Sequence, residues 1–336
     1  MTNSDRKSTL SVLCLLVVAM GFALEGCRST YEYSPATAGT TVLRKTGARF
    51  NGLPRSYRLH IPAGYRPQND LPLVIAVHGA FSTAAQFEEQ SGFSALADRF
   101  GFAAAYPNGI GIFGFLQHWN AGHCCGKAAA DGIDDIGFID EVIADAGQML
   151  SIDATRIYMV GFSNGGMFTH RYGAERAWKL AAIAPLAGPA GGRAGPEQPE
   201  WRIPPPRVPL PVIAFHGTGD DKVPYKGGAS GENPDGRQYI SAQQSARLWA
   251  ERNACNQLPV IRKLHQDSVA VASWMGCSDR VAVELYSLQD WGHRWPGPSF
   301  TDRLDPEDPL HGFDAAGIIW TFFKKYKRRP APADRQ

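Results

Sequence analysis

The chain has 336 residues, of which 44% are hydrophobic and 20% charged, so it is long enough to bury one large hydrophobic core. Its 34 basic and 32 acidic residues leave a formal net charge of +2, which gives no reason to expect a nucleic acid as partner. The basic cluster at 324–329 falls at the end of the last predicted helix, where positive charge complements the helix dipole, and we interpret it as a solvated terminus.

The amino terminus has the pattern of an export signal. Arg6 and Lys7 precede an apolar run, Leu10–Leu24, which is too short for a comfortable membrane span. The run ends in Leu-Glu-Gly-Cys27, which resembles a bacterial lipobox, although Glu25 is unusual there and ordinary cleavage or an uncleaved anchor stays open. We therefore expect an exported protein, lipid-anchored in the cell envelope or extracellular, with a signal peptide at 1–26, lipidation at Cys27 and a tether at 27–41.

Six cysteines are present, and two of them belong to this export segment. An oxidising compartment favours disulfides among the other four. We predict a disulfide between Cys255 and Cys277, which would close a loop of about 22 residues and contribute about 3 kcal/mol. Cys124 and Cys125 could bond to each other or remain thiols. His123 precedes them, but adjacent cysteines are poor ligands for tetrahedral zinc, so we expect neither a metal nor a cofactor.

The first half of the chain alternates between short apolar runs and a helical pattern. Leu73–His78 is continuously apolar up to its last residue, as in a strand that is buried on both faces. Two earlier runs are separated by a turn that contains Asn51-Gly52. The predicted elements are strands at Thr41–Lys45, Tyr57–Ile61, Leu73–His78 and Ala103–Tyr106, with a helix around Phe93–Phe100.

The second half continues this alternation. Apolar residues at 136, 139, 143, 146 and 150 predict a crossover helix over Asp134–Leu150. The later predicted strands are Ile157–Val160, Leu180–Leu186, Val212–Phe215 and Val281–Leu288, with helices after Gly166, at Ala242–Arg252 and from Asp314 to about Lys327. Such alternation predicts an α/β fold with a mainly parallel central sheet, helices on both faces and an antiparallel pair at the start. The catalytic domain would span 42–327, followed by a basic, proline-containing tail at 328–336.

Two long insertions interrupt the pattern. Gly109–Asp131 is rich in glycine, aromatic residues and cysteine, and Ala187–Pro211 is a glycine- and proline-rich tract that contains Trp201. Long irregular loops inside a compact domain are usually functional rims or lids.

A candidate nucleophile lies between a predicted strand and a predicted helix. Gly161-Phe162-Ser163-Asn164-Gly165 is a G-x-S-x-G sequence, and the turn from strand to helix in this motif is so tight that small residues flank the serine. The turn would lift the Ser163 hydroxyl clear of the sheet at the positive end of the helix. The simpler alternative is a glycine-rich turn in which Ser163 caps the helix.

A catalytic serine needs a base and an acid that orients the base, and in this architecture they follow in the order serine, acid, histidine. Asp220 lies just past the strand Val212–Phe215, where the carboxylate belongs, and its neighbour Asp221 is the rival. His293 follows the strand that ends at Leu288, in a rigid aromatic loop. We predict Ser163, Asp220 and His293 as the catalytic triad.

The negatively charged oxygen of the transition state needs two backbone N–H groups. One should come from Asn164, the residue after the nucleophile. The second should come from the loop after the strand Leu73–His78, with Ala80 as first choice and Phe81 as second. We interpret His78 as a buried imidazole that braces this loop.

Together these motifs resemble the secreted polyhydroxybutyrate depolymerase and feruloyl esterase family of α/β-hydrolases, which includes lipoproteins. The resemblance covers about residues 50–325 and implies the same triad. It depends on His78-Gly79, Tyr106–Gly109, Trp119-Asn120, Cys124–Gly126, Asp134–Ile139, Gly161–Met167, His216–Tyr225, Cys255, Trp274, Cys277 and Gly292–Gly297.

The chain departs from the family at two positions. Ala80-Phe81 stands where the family usually has Gly or Cys after His-Gly, and Phe81 would narrow the acyl pocket. Asp290-Trp291 replaces a run of glycines before the histidine and makes that loop bulkier. Depolymerases of solid polyester typically have an additional polymer-binding domain, and none follows Gln336, so we expect soluble or oligomeric esters as substrates.

The leading hypothesis is therefore a membrane-tethered serine carboxylesterase that acts through an acyl-enzyme. Trp119, Trp295 and Tyr225 are predicted to contact the substrate. Two alternatives stay open: a serine peptidase with the same triad, and a non-catalytic binding protein of the cell envelope.

Overall fold

A computed structural model describes residues 38–50, 52–112, 115–231 and 236–328. The predicted signal peptide, Cys27, most of the tether and nearly all of the basic tail lie outside the described residues. Within the described residues, no helix has the length and apolar character needed to cross a membrane.

Ten strands form one central sheet, in the spatial order β1-β2-β4-β3-β5-β6-β7-β10-β9-β8. In chain order they are β1 (Thr40–Phe50), β2 (Leu53–Ile61), β3 (Leu71–Val77), β4 (Ala103–Pro107), β5 (Ile152–Phe162), β6 (Ala182–Leu186), β7 (Val212–Gly217), β8 (Val260–Leu264), β9 (Val269–Trp274) and β10 (Val283–Leu288).

Six strands in the middle of the sheet are parallel to one another: β4, β3, β5, β6, β7 and β10. The strands at both ends of the sheet pair antiparallel. The predicted α/β fold with an antiparallel pair at the start is confirmed, since β1 pairs antiparallel with β2. The antiparallel hairpin of β8 and β9 at the far edge was not predicted. Every residue of β8 is exposed, so its sequence does not show the alternation of a half-buried strand.

Helices cover both faces of this sheet. They are α1 (Ala84–Ser91), α2 (Phe93–Phe100), α3 (Gly126–Ala130), α4 (Asp135–Met149), α5 (Asn164–Glu175), α6 (Ala242–Arg252), α7 (Pro298–Thr301) and α8 (Ala315–Phe323), with short 3₁₀ turns at Ala177–Lys179 and Ser278–Arg280. The last helix ends four residues before the predicted Lys327, and Asp314 is its N-cap residue although its side chain makes no capping hydrogen bond.

The hydrophobic core consists of two layers, one on each side of the sheet. Strand β3 shows why its run of apolar residues is continuous. Leu73, Ile75 and Val77 face the layer under α4, α5 and α6, whereas Val74 and Ala76 face the layer under α1, α2 and α8. Because both faces of β3 are buried, alternation disappears from its sequence.

The two insertions contain short strands rather than irregular loops. The first insertion forms a two-stranded sheet from Ile110–Ile112 and Phe115–His118. The second supplies Gly191–Arg193 and Trp201–Arg202 to a four-stranded sheet, whose other two strands, Gly228–Ala229 and Gln238–Tyr239, come from the segment that follows β7. The insertions meet where Trp201 stacks on His123, with ring centroids 5.4 Å apart. They therefore form one connected rim.

Two disulfides are present in the described residues. Cys255, just after α6, is bonded to Cys277, just after β9, as predicted. The structure also bonds Cys124 to Cys125, which the sequence had left open.

Candidate active site

Ser163 occupies a strained turn between β5 and α5. Its backbone has φ 56° and ψ −123°, a conformation that non-glycine residues adopt rarely and usually at functional sites. A Cβ atom on Gly161 would collide with the carbonyl of Gly165, and one on Gly165 would collide with the carbonyls of Val77 and His78. The two glycines are thus needed because the backbone segments approach each other closely.

The Ser163 side chain does not cap the helix that follows it. No capping hydrogen bond is formed by Ser163, which excludes the simpler interpretation of this motif. Its Oγ lies 2.9 Å from Nε2 of His293 instead. The backbone N–H of Ser163 donates to the carbonyl of Leu186 on the neighbouring strand, 2.8 Å away, and this hydrogen bond fixes the turn against β6.

His293 connects the serine to Asp220. Its Nδ1 lies 2.7 Å from Oδ2 of Asp220, so a proton on Nδ1 is donated to the carboxylate while Nε2 faces Ser163. Residues 130 and 73 positions apart are brought together because β5, β7 and β10 end at the same edge of the sheet. The structure thus brings all three predicted triad residues into one hydrogen-bonded chain.

The Asp220 carboxylate is buried and held from several sides. Its Oδ1 accepts the backbone N–H groups of Lys222, at 3.0 Å, and Val223, at 2.8 Å. Burial would raise the pKa of Asp220, but hydrogen bonds from His216 and His293 outweigh it and hold that pKa well below its usual range. The carboxylate is therefore ionised throughout the neutral range. Its neighbour, the rival Asp221, is exposed.

His216 is a neighbour of the triad that the sequence did not reveal. Its Nε2 lies 2.8 Å from the carbonyl oxygen of Val223 and 3.3 Å from Oδ2 of Asp220. His216 is the last residue but one of β7, and Asp220 follows four residues later, so the only sequence signal was a histidine near a strand end just before the acid.

Asn164 is the first residue of α5, and the N–H groups in the first turn of a helix have no acceptor inside that helix. Its side chain is fixed by the backbone of Trp119: Oδ1 accepts the N–H at 2.7 Å, and Nδ2 donates to the carbonyl at 3.0 Å. Ala80 lines the same cavity, and its N–H takes part in no backbone hydrogen bond within the described part of the chain.

Phe81, the second choice for an oxyanion donor, is excluded. Its N–H donates to the carbonyl of Gln117 at 2.9 Å and is therefore already used. Its side chain, which is 67% exposed, lies at the mouth of the cavity with its ring 4.6 Å from that of His118. Phe81 thus contributes its ring to the site and not its amide.

His78 braces the loop that carries Ala80. Its ring is fully buried, Nδ1 donates to the carbonyl of Gly79 at 2.7 Å, and Nε2 accepts the N–H of Gly109 at 3.0 Å. Burial lowers the pKa of His78 to about 4, so the ring is neutral at neutral pH. The indole Nε1 of Trp119 donates to the His78 carbonyl at 3.0 Å and supports the same loop.

The three aromatic residues that were predicted to contact the substrate do not line the cavity in front of Ser163. Trp119 and Trp295 are 0% exposed; Trp119 stacks on Phe168, and Trp295 packs edge-on against Phe87. Tyr225 hydrogen-bonds to Ser287 and lines a separate cavity of about 340 Å³. The prediction was wrong for the two tryptophans because their rings fold inward and support the site, and for Tyr225 because it lines the other cavity.

The cavity in front of Ser163 has a volume of about 730 Å³, within the roughly 300–1,000 Å³ usual for ligand pockets. Its lining combines the candidate catalytic groups with residues of the first insertion and of the segment that follows β7. The described lining residues are Gly79, Ala80, Phe81, Ser82, Gln90, His118, Cys125, Gly126, Phe162, Ser163, Asn164, Met167, Lys222, Val223, Arg237, Tyr239 and His293.

A serine on a strained strand-to-helix turn, with a histidine and an aspartate after later strands of a mainly parallel sheet, defines an α/β-hydrolase. Comparison with solved structures gives the same fold. The acetyl xylan esterase from Aspergillus awamori superposes with a TM-score of 0.57 at 13% identity, over 84% of this chain and 99% of that protein.

Sequence comparison identifies the family. The family described as esterase PHB depolymerase matches residues 55–192. Feruloyl esterase B of Piromyces equi is 30% identical over 248 residues, which are 71% of this chain and 42% of that protein's length. The putative esterase NocK of Nocardia uniformis subsp. tsuyamanensis is 27% identical over 291 residues, which are 81% of this chain and 79% of that protein's length. The resemblance to this esterase family, which the motifs predicted, is confirmed.

Proposed function

We propose that this protein is a serine carboxylic ester hydrolase that acts through an acyl-enzyme. The observation that carries the proposal is the continuous hydrogen-bonded chain from Ser163 through His293 to Asp220, with contacts of 2.9 and 2.7 Å. Its resemblance to the esterase family and its fold support the same reaction class.

In the first half of the reaction, Ser163 Oγ attacks the ester carbonyl carbon while His293 Nε2 accepts the hydroxyl proton. The N–H groups of Asn164 and Ala80 donate to the carbonyl oxygen as it becomes negative. The C–O bond to the alcohol then breaks, and His293 returns the proton to the departing alcohol. In the second half, water attacks the acyl-enzyme with His293 again as base, which releases the acid and restores Ser163.

Asp220 holds the imidazole in the required tautomer. With the ionised carboxylate as acceptor, the proton of neutral His293 stays on Nδ1, and Nε2 is available as base. The same negative charge stabilises the imidazolium that forms during each half-reaction.

The first test is hydrolysis of 4-nitrophenyl butyrate by the purified protein and by Ser163→Ala. We expect turnover by the wild type and a loss of at least about 1,000-fold in the variant, since the nucleophile is removed. Undiminished activity in Ser163→Ala would refute the mechanism. A matched peptide amide separates an esterase from a peptidase with the same triad; cleavage of the amide at a rate similar to that of the ester would favour the peptidase.

For the substrate class we propose soluble or oligomeric esters. Relatives named for their activity include a feruloyl esterase, a bifunctional acetylxylan esterase/xylanase and a poly(3-hydroxyalkanoate) depolymerase, so the family comprises several ester types. A panel of methyl ferulate, acetylated xylo-oligosaccharide and 3-hydroxybutyrate oligomers, compared by kcat/KM, identifies the preferred type. Preference for a solid polyester film over every soluble ester would contradict the proposal.

We further propose export and a lipid anchor at Cys27, from the signal-like segment and the lipobox-like sequence alone. The test compares the full chain with Cys27→Ser in bacterial cells labelled with a radioactive fatty acid. Lipidation predicts a labelled, membrane-bound protein that loses its label in the variant. An unlabelled wild-type protein in the soluble fraction would exclude the anchor.

A further inference from the structure

One motif of the sequence, Asp134–Ile139, has no part in the proposed chemistry, although its second residue is buried. Asp135 is the first residue of α4, and its side chain is 0% exposed. The cap of this helix is supplied by the neighbour, since Oδ1 of Asp134 accepts the N–H of Gly137 at 2.8 Å. A buried carboxylate is costly unless it is paired and hydrogen-bonded, so its partners indicate what it does.

The first partner of Asp135 is a buried cation. Oδ1 of Asp135 lies 2.7 Å from Nη2 of Arg55, whose side chain is 4% exposed. The guanidinium lies over the ring of Phe138, with Cζ 3.7 Å from the ring centroid, and Nη2 also donates to the carbonyl of Asn108 at 3.2 Å. These contacts fix Arg55 and, through the ion pair, the carboxylate of Asp135.

The second partner of Asp135 is a peptide group. Oδ2 of Asp135 accepts the backbone N–H of Asn120 at 2.7 Å. The carbonyl of the same peptide group belongs to Trp119, and it accepts Nδ2 of Asn164 at 3.0 Å. Because a peptide group is a rigid plane, its N–H and its C=O move together. A carboxylate that accepts the N–H also polarises the C=O and strengthens its hydrogen bond with Asn164.

Both proposed oxyanion donors depend on the position of Trp119. Its backbone N–H donates to Oδ1 of Asn164 at 2.7 Å, so one residue holds both polar atoms of the Asn164 side chain. Its indole donates to the carbonyl of His78, in the loop that carries Ala80. A shift of Trp119 would therefore displace the N–H groups of Asn164 and Ala80.

A further cation holds the following carbonyl. Nη1 of Arg171 donates to the carbonyl of Asn120 at 2.8 Å, and Nε of Arg171 donates to Glu175 at 2.8 Å. Arg171 lies on α5, about two turns after Asn164, the first residue of that helix. The helix that carries the proposed oxyanion donor is thus attached to the segment of Trp119 and Asn120 at two points.

We propose that Asp135 is a positioning residue of the oxyanion hole. Held by Arg55, it fixes the peptide group between Trp119 and Asn120. That peptide group in turn aligns the backbone N–H of Asn164 with the oxyanion. The alignment is important because a donor stabilises the transition state only at hydrogen-bond distance from the place where the negative oxygen forms. The inference rests on the proposed ester hydrolysis.

The main test replaces Asp135 by asparagine, which has the same shape but no charge. The amide oxygen can accept a hydrogen bond from either Arg55 or the Asn120 N–H, and its NH₂ group then faces the other donor. Asp134→Asn is the matched control, because it makes the same chemical change one residue earlier on an exposed side chain, and asparagine is also a good N-cap residue.

Three quantities are measured for each folded variant. They are kcat and KM for 4-nitrophenyl butyrate and the inhibition constant Ki of 1,1,1-trifluoropentan-2-one. In the inhibited enzyme, Ser163 Oγ adds to the ketone carbon, His293 takes the serine proton, and the ketone oxygen becomes negative. This oxygen needs the same donors as the transition state, so Ki reports on the oxyanion hole.

We expect kcat of Asp135→Asn to fall about 100-fold, as a displacement of about 1 Å at a catalytic group can cause. KM should stay within about threefold, and Ki should rise by a factor similar to the fall in kcat. Asp134→Asn should leave all three quantities within about twofold of the wild type.

A double-mutant cycle with Asn164→Ala separates positioning from a general loss of stability. Asn164→Ala keeps the backbone N–H of residue 164 but removes the side chain through which Asp135 acts. In this background, Asp135→Asn should lower kcat by less than about tenfold. A carboxylate with only a structural role would cost the same factor in both backgrounds.

Arg171→Met provides the test if Asp135→Asn does not fold. It removes the donor to the Asn120 carbonyl from a partly exposed side chain, and kcat should fall by about threefold to tenfold with KM unchanged. Arg176→Met is its control, because it removes the same charge from the end of the same helix, where the partner is Asp140. Its kcat should stay within about twofold of the wild type.

Three results would overturn the inference. They are a folded Asp135→Asn with kcat within about threefold of the wild type, an equal loss of kcat in both backgrounds of the cycle, and, where Asp135→Asn does not fold, Arg171→Met with the kcat of Arg176→Met. In each case the wild type still hydrolyses the ester, so the proposed function survives. A wild type without activity on 4-nitrophenyl butyrate would instead refute the function, and the inference with it.

Discussion

Replacing Asp220 by asparagine tests the proposed triad most sharply, because the surrounding backbone determines how the new amide must lie. Two backbone N–H groups, of Lys222 and Val223, donate to Oδ1 of Asp220. In Asp220→Asn the amide oxygen must take that position, since an NH₂ group there would face two donors. The amide NH₂ therefore points at His293 Nδ1.

This orientation reverses the tautomer of the base. Nδ1 of His293 would accept a proton from the amide, so the ring would carry its own proton on Nε2, 2.9 Å from Ser163 Oγ. A protonated Nε2 cannot take the serine proton. We expect kcat to fall by roughly 1,000- to 10,000-fold, about 4–5.5 kcal/mol of transition-state stabilisation, with a small change in KM.

The assay is steady-state hydrolysis of 4-nitrophenyl butyrate at pH 7.5, with thermal melting to establish that each variant is folded. Asp221→Asn is the matched control: it makes the same chemical change one residue later, on an exposed side chain, and should leave kcat within about twofold. The reasoning fails if folded Asp220→Asn keeps more than a tenth of the activity, or if Asp221→Asn loses as much.

Three further predictions concern stability. Burial lowers the pKa of three histidines in the folded state, His78 to about 4 and His123 and His170 to about 3. Because the unfolded chain binds their protons near pH 6.5, the unfolding free energy should decrease as the pH falls from 6.5 towards 4, with a slope that approaches about 4 kcal/mol per pH unit. Urea denaturation that is independent of pH in this window would contradict the prediction. Trp119→Phe removes the donor to the buried His78 carbonyl and should lower the unfolding free energy by about 1–3 kcal/mol, measured by urea denaturation. Because the same loop carries Ala80, kcat should fall as well. Unchanged stability would refute this role of Trp119. Replacing Cys255 and Cys277 together by serine should cost about 3 kcal/mol with esterase activity within twofold, since the disulfide lies beside the outer hairpin; a loss of activity in the folded variant would contradict it.

The sequence was sufficient for the order and position of the candidate triad. Apolar runs locate strand ends, and the carboxyl ends of parallel strands meet at one edge of a sheet, so Ser163, Asp220 and His293 could be expected to converge without any knowledge of distances. The glycines around Ser163 were informative for a similar reason, since the close approach that requires them is built into a short local turn.

Other features are set by neighbours that are far apart in sequence. The choice between Ala80 and Phe81 as oxyanion donor depends on the Gln117 carbonyl, which comes from a hairpin in an insertion and uses the Phe81 amide. The outer strand β8 was missed because exposure on all sides leaves no apolar periodicity to read.

By itself, the sequence determined the class of fold, the esterase family and the side chains available for catalysis, because each is encoded in local patterns of polarity and in short motifs. Only the tertiary structure decided that Trp119 and Trp295 support the site from inside the core, and that Arg237 lies on the Cys124–Cys125 disulfide in the cavity wall. The physical reason is that the burial and the electrostatic environment of a side chain depend on contacts between segments that are far apart in the chain. The local sequence around a residue does not specify these contacts.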